Sequence, residues 1–290
     1  MPDIVTTRAT NPEAIATAAA NRKRPTSVLG EHGRLMMIAA DHPARNSLAA
    51  GDRPMAMADR ADLLDRVCLA LSRPGVNGVL GTPDVIEDLL LLGALDDKVV
   101  VGSMNRGGLA GSVFELDDRF TAYDAAALAA MGYEGGKMLL RIDPADPATA
   151  GTLQACGRAV GELAERRLLA MVEPFVSYRV GGRVHNQLTP DAMISAMSVA
   201  SGLGSTSAYT WLKVPVVPEM ARVMAATTLP AVLLGGEVGT DADAAFESWR
   251  AALALPTVRG LVVGRSLLYP LDDDVAGAVD TAVSLCQAGG

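Results

Sequence analysis

Eight short apolar runs, each followed by a stretch of helical periodicity, constrain this chain more than any other feature. They read Arg34–Asp41, Asn77–Gly81, Lys98–Gly102, Gly136–Asp143, Arg167–Pro174, Tyr209–Pro215, Ala231–Gly236 and Arg259–Gly264. Runs this short and this continuously apolar suit strands buried on both faces. The segments between them carry helix punctuation. Ala58–Ser72 gathers Leu63, Leu64, Val67 and Leu71 on one face and stops at Pro74–Gly75. Thr82–Pro83 and Thr189–Pro190 each pair an N-cap residue with proline at the first helical position. Ala122–Met131 ends at Gly132, and Asp241–Leu255 ends at Pro256. A helix between successive strands implies parallel pairing through right-handed crossovers. Eight such units predict a (β/α)8 TIM barrel rather than an open doubly wound sheet, and no GxGxxG follows the first strand. Residues 1–33 read as a helical N-terminal extension and 34–290 as the barrel, without a low-complexity linker or a second domain. The extension suits either an interface arm or a plug for the bottom of the barrel.

Composition narrows the class. Half of the 290 residues are hydrophobic, yet no apolar run reaches the roughly 18–20 residues of a membrane span. The first twenty residues lack the order of a signal peptide. Cys68, Cys156 and Cys286 lie in helical stretches and read as reduced thiols, so the expected location is cytoplasmic. With a net charge of −8 and no basic stripe, neither nucleic acid nor membrane is an expected partner. An acidic chain binds an anion only by concentrating cations locally, which makes the rare lysines informative: Lys23, Lys98, Lys137 and Lys213.

Barrel chemistry sits at the C-terminal ends of strands and in the loops that follow. Those positions hold Asp41, Arg106 in a long loop, Lys137 with Asp143, Glu173, Lys213, Gly235–Gly236 and Gly264–Arg265. Lys213 stands between Leu212 and Val214, and strand alternation puts it on the same face as Trp211. A buried ammonium needs either a structural carboxylate partner, such as Glu173 or Asp41, or a chemical task. The chemical task is imine formation by an amine whose pKa is lowered by burial and by a nearby cation, for which Lys137 is the candidate. Lys137, Leu139 and Arg141 share a face, and Lys137 reads either as a barrel-mouth charge or as that partner. Glu173 ends an apolar strand, so a raised pKa suited to proton shuttling is expected; helix capping or ion pairing is the alternative. Asp41 suits a substrate hydroxyl, a proton relay or an N-cap. Two successive glycine-ended strands, Leu233-Leu-Gly-Gly-Glu237 and Leu261-Val-Val-Gly-Arg-Ser266, predict a phosphate site with Arg265 as a fixed fork. His32, His42 and His185 lack metal-ligand spacing and no GxSxG is present, so neither a metal nor a cofactor is expected.

Taken together, Asp41-His42, Lys137-Met-Leu-Leu-Arg-Ile-Asp143, Val172-Glu-Pro174, Leu212-Lys-Val-Pro215, Gly235-Gly236 and Gly264-Arg265-Ser266 resemble the deoxyribose-phosphate/tagatose-bisphosphate aldolase superfamily from about Arg34 to Tyr269. The resemblance implies a class I aldolase, a lyase acting on a phosphorylated sugar. It casts Lys213 as the imine-forming lysine, Lys137 as the second lysine, Glu173 as the acid/base carboxylate and Asp41 as a further catalytic group. Gly235, Gly236, Gly264 and Arg265 become the phosphate grip, with Arg106 and His42 as further substrate contacts. The chain is most similar to an actinobacterial branch often associated with inositol breakdown, which suggests 2-deoxy-5-keto-gluconate 6-phosphate, cleaved to dihydroxyacetone phosphate and malonate semialdehyde. It departs from the pattern in Asp41-His-Pro43, in Val214-Pro-Val-Val217 and in the long loop Gly102–Phe120. Thiolase-like acyl transfer on a phosphorylated diketone and a non-catalytic sugar-phosphate-binding barrel remain the alternatives. Barrels of this type often assemble, so a homo-oligomer is compatible with the sequence.

Overall fold

The inward and outward rows of the strands explain the architecture seen in a computed structural model, which describes residues 3–236 and 242–288. The strands are β1 Leu35–Ala39, β2 Gly78–Gly81, β3 Val99–Ser103, β4 Gly135–Ile142, β5 Leu169–Val180, β6 Arg183–Asn186, β7 Thr210–Val214, β8 Ala231–Leu234 and β9 Val258–Val263. All but β6 pair in parallel in the order β4-β3-β2-β1-β9-β8-β7-β5, and a β4–β5 ladder from Gly135↔Leu169 to Ile142↔Val176 closes the ring. The result is an eight-stranded parallel barrel with flanking helices, a (β/α)8 TIM barrel, as the apolar runs predict.

Alternation divides the core in two. Met36, Ile38, Val79 and Val100 point outward and join the helices in one apolar cluster. Leu35, Met37, Ala39, Val99, Val101, Leu169 and Met171 point inward and fill the barrel. Followed toward their C-terminal ends, the inward rows turn polar: Asp41 continues the row of β1, Ser103 that of β3, Glu173 that of β5, and Lys213 follows Trp211 on β7. The barrel is therefore a packed plug below and a charged floor above.

The helical extension comprises Ile4–Thr10 and Ala14–Asn21. It clasps the outer ring, with Ala14–Asn21 packed on helix Pro83–Leu91 and Arg8 donating to Glu87 and Asp88 at 3.0 Å each. Arg22 donates to the carbonyls of Lys98 and Gly132, both at 2.7 Å. Val28 and Leu29, at its end, pack against the inner cluster and cover part of the barrel bottom.

Helix boundaries follow their caps. The segment expected over Ala58–Ser72 begins at Arg60 because the Asp59 carboxylate accepts the amides of Ala61 and Asp62. The one expected over Ala122–Met131 shortens to Ala125–Ala130, because Asp124 caps Ala127. Thr189 caps as expected, whereas the Thr82 hydroxyl donates to Asp84 instead of accepting an amide. Asp241, the expected start of the helix before Pro256, lies outside the described residues, as does Glu237; the described helix is Ala242–Leu253. The main difference concerns β5. It does not stop at Pro174 but runs to Val180 and folds back through Gly181–Gly182 into β6, an antiparallel hairpin with Ser177 opposite Asn186.

Candidate active site

The polar ends of the inward rows meet at the floor of a cavity of about 550 Å³. Ten residues singled out by the sequence line it: Asp41, His42, Arg106, Lys137, Glu173, Lys213, Gly235, Gly236, Gly264 and Arg265. Asp143 does not join them; its side chain accepts the Ala145 amide in the turn after β4.

Glu173 is the centre of the floor. One carboxylate oxygen accepts from the Lys213 ammonium at 2.7 Å, and the other is ion-paired with Lys137. All three side chains are nearly inaccessible to solvent. The structural pairing considered for Lys213 is thus present. Glu173 does not have the raised pKa expected for a carboxylate at the end of an apolar strand. Burial by itself raises it, but the charges of Lys137 and Lys213, with their hydrogen bonds, hold it down at about 2. The pKa of Lys137 is lowered as well, for the opposite reason. Burial is the largest influence and pulls it to about 8, against the attraction of Asp41 and Glu173 and with the help of Lys213 and Arg106.

Asp41 forms the second anchor. It pairs with Arg106 at 2.9 Å and with Lys137 at 3.3 Å, and it accepts the Ser103 hydroxyl at 2.9 Å. Burial opposes its ionisation, but Arg106, then Lys137 and other neighbouring cations, hold it well below the usual carboxylate range. Arg106 also donates to the Asp41 carbonyl at 2.8 Å, so one guanidinium fixes both the side chain and the backbone of that residue. His42 is pushed down to about 3 by burial, followed by the opposing effect of Asp41 and the repulsion of Arg265, and is neutral at physiological pH.

The loop that carries Arg106 is built rather than loose. Arg45 donates to Asp118 at 2.6 Å, to the Gly108 carbonyl at 2.8 Å and to the Asn105 carbonyl at 2.6 Å. Arg141 donates to the Glu115 carboxylate and carbonyl at 2.5 Å each. Gly108 is obligatory here: a Cβ would stand 2.2 Å from the Glu115 carbonyl oxygen.

One wall of the cavity is formed by the ends of β8 and β9. Gly236 takes a left-handed conformation (φ +68°) that favours glycine. Gly264 precedes the short helix Arg265–Leu268, and Arg265 donates to the Ala49 carbonyl at 3.3 Å. Around the cavity Arg45, Arg106, Lys137, Lys213 and Arg265 face two carboxylates among the described residues, Asp41 and Glu173, in a chain of net charge −8. The opposite wall was not anticipated. It comes from the hairpin: Phe175, Val184, His185, Asn186 and Leu188. Its signal lay in Phe175-Val-Ser-Tyr-Arg-Val180, a β-prone run before Gly181–Gly182, which is hairpin chemistry. Ser103 was missed by one position, as the residue after Gly102. Among the described residues no group of three or more His, Cys, Asp or Glu side chains is arranged to hold a metal ion.

Residues 33–283 match the family model described as Cgl0159-like. The chain belongs to the Cgl0159-like family. The crystal structure of Cgl0159 from Corynebacterium glutamicum is 54% identical, covers 98% of this chain and 95% of its own, and superposes with a TM-score of 0.95. Beyond the Cgl0159-like proteins the barrel is shared with an archaeal fructose 1,6-bisphosphate aldolase at 16% identity, with 95% of this chain and 100% of that one covered and a TM-score of 0.66. A further archaeal fructose-1,6-bisphosphate aldolase structure, described with its catalytic Lys covalently bound to the carbinolamine intermediate, gives the same identity and TM-score over 94% of this chain and 99% of that one. At that identity the likeness is one of fold. No curated protein matches the chain. No helix among the described residues is long and apolar enough to cross a membrane.

Proposed function

We propose that this chain is a class I aldolase that cleaves or forms a C–C bond of a phosphorylated keto sugar or sugar acid through an imine on Lys213. The observation that carries the reading is the buried bridge Lys213–Glu173–Lys137 beneath a cation-rich cavity. The barrel shared with Schiff-base fructose-bisphosphate aldolases supports it, as does the resemblance drawn from sequence motifs. Among sugar acids, 2-deoxy-5-keto-gluconate 6-phosphate is the candidate that the inositol-associated branch offers.

In this reading the phosphate lies against Gly235, Gly236, Gly264 and Arg265, where backbone amides and a guanidinium meet an anion. Glu173 accepts a proton from the Lys213 ammonium, 2.7 Å away, and the freed amine adds to the substrate ketone. Glu173 gives that proton to the carbinolamine hydroxyl, which leaves as water, and the iminium forms beside the regenerated carboxylate. The hydroxyl proton on the carbon β to the iminium then passes to the Glu173 carboxylate, the bond between the α and β carbons breaks, and its electron pair flows into the iminium to leave an enamine while the aldehyde departs. Glu173 returns the proton to the α carbon of the enamine, and hydrolysis by one water gives dihydroxyacetone phosphate and free Lys213. Lys137 keeps Glu173 ionised and supplies the cation beside Lys213, and Asp41 with Arg106 holds Lys137 in place.

The test is Lys213→Ala. Turnover of the phosphorylated ketose should fall by on the order of 10⁴-fold or more while the thermal melt stays cooperative. A folded Lys213→Ala protein with near-normal rate would overturn the proposal.

A further inference from the structure

The two walls of the cavity differ in chemistry and stand on opposite sides of β7. In the ring order β9-β8-β7-β5, the glycine-ended strands lie to one side of Lys213 and the β5–β6 hairpin to the other. A ketose phosphate fixed at its phosphate, with its carbonyl on Lys213, therefore extends its remaining carbons toward the hairpin. The described residues that line the cavity there are Phe175, Val184, His185, Asn186 and Leu188, and none is a lysine, arginine, aspartate or glutamate. Of the other cations lining the cavity, Arg45 is engaged by Asp118, Arg106 by Asp41, and Lys137 by Asp41 and Glu173. A second phosphate, or a carboxylate, arriving at this wall would lose hydration without meeting a fixed positive partner.

Asn186 is set to read something milder. It pairs with Ser177 across the hairpin, and alternation places Ser177 on the inward row that contains Glu173 and Phe175. The buried Ser177 hydroxyl donates to the Asn186 side-chain carbonyl at 2.9 Å. That bond uses one lone pair of the amide oxygen and orients the amide of a residue that lines the cavity, with its NH2 group as the donor. Next to it, His185 is braced by stacking on Tyr178, with ring centroids 5.8 Å apart.

We propose that the β5–β6 hairpin is the recognition surface for the aldehyde half of the substrate, with Asn186 donating to a hydroxyl. The substrate is then a monophosphate whose departing half is a neutral hydroxyaldehyde, a sugar rather than a sugar acid or a bisphosphate. This inference rests on the Schiff-base aldolase reading of the same site and narrows it.

The experiment runs the reaction in the direction of synthesis, with dihydroxyacetone phosphate as the fixed donor. The acceptors are glyceraldehyde, propanal, glyceraldehyde 3-phosphate and malonate semialdehyde. Wild-type protein should favour glyceraldehyde over both anionic aldehydes by at least roughly tenfold in kcat/KM. Asn186→Ala should lower the glyceraldehyde-to-propanal ratio by about tenfold, and Ser177→Ala, which frees the amide to rotate, should lower it less in the same direction. An anionic aldehyde used as well as glyceraldehyde, or a ratio unmoved by Asn186→Ala, would overturn the assignment. Borohydride trapping of the donor on Lys213 separates the two levels. Trapping with an unmoved ratio removes only the role of the hairpin; no trapping removes the aldolase reading and the hairpin proposal with it.

Discussion

Three side chains, Lys213, Glu173 and Lys137, set the pH behaviour of the site. Lys137 is held at about 8, so its cation is lost just above neutrality. The pH profile of kcat/KM should bend downward near pH 8, and Lys137→Met should abolish that limb. The same substitution removes the larger of the two charges that depress Glu173, so the acid limb should move to higher pH. A profile unchanged in Lys137→Met would separate Lys137 from the chemistry. Stability follows from the same shifts. The pKa of Glu173 is lower in the fold than in the unfolded chain, so its stabilising contribution is complete above its ordinary value of 4.5 and is lost as pH falls toward about 2. The pKa of Lys137 is also lowered, but for a cation this means a cost below pH 8 that fades as pH rises toward 10.5. Urea denaturation midpoints of wild-type protein should therefore fall between pH 5 and pH 3. In Glu173→Gln the fall should be smaller, and an equal fall would assign acid sensitivity elsewhere.

At the scale of elements, the loop after β3 and the hairpin after β5 frame the cavity. Asp118 joins the loop to Arg45, and both are buried. Asp118→Asn leaves that guanidinium without its countercharge and should cost roughly 3–5 kcal/mol in chemical denaturation. A loss below 1 kcal/mol would show that the Arg45 carbonyl contacts suffice. The strands themselves were legible because they are apolar on both faces, and the site because several of them end in a charge; Leu35 to Asp41 and Trp211 to Lys213 announce both barrel and site. The hairpin was not, because Pro174 reads as a stop. In the structure Pro174 sits within the β4–β5 ladder opposite Leu140, and the strand continues beyond it. The acidity of Glu173 was equally hidden. Its position predicts burial, but only the three-dimensional approach of two lysines reverses the effect of burial on its charge. Ion pairs between residues as distant as Asp41 and Lys137, or Arg45 and Asp118, leave no pattern in a single sequence.

For the molecule as a whole, the distribution of charge is the informative quantity. In a chain of net negative charge, five cations meet two carboxylates among the described residues of the cavity. Fields of this kind are screened over about 10 Å at 0.1 M salt. The kcat/KM of a phosphorylated substrate should therefore fall several-fold as ionic strength rises, with most of the change in KM. Salt-independent KM would argue against an anionic substrate. The central claim is the imine, and borohydride reduction in the presence of dihydroxyacetone phosphate, followed by intact mass and peptide mapping, tests it most directly. A single reduced adduct on Lys213 is the expected result. An adduct on Lys137, or none while the same ligand protects the fold against heat, would contradict it.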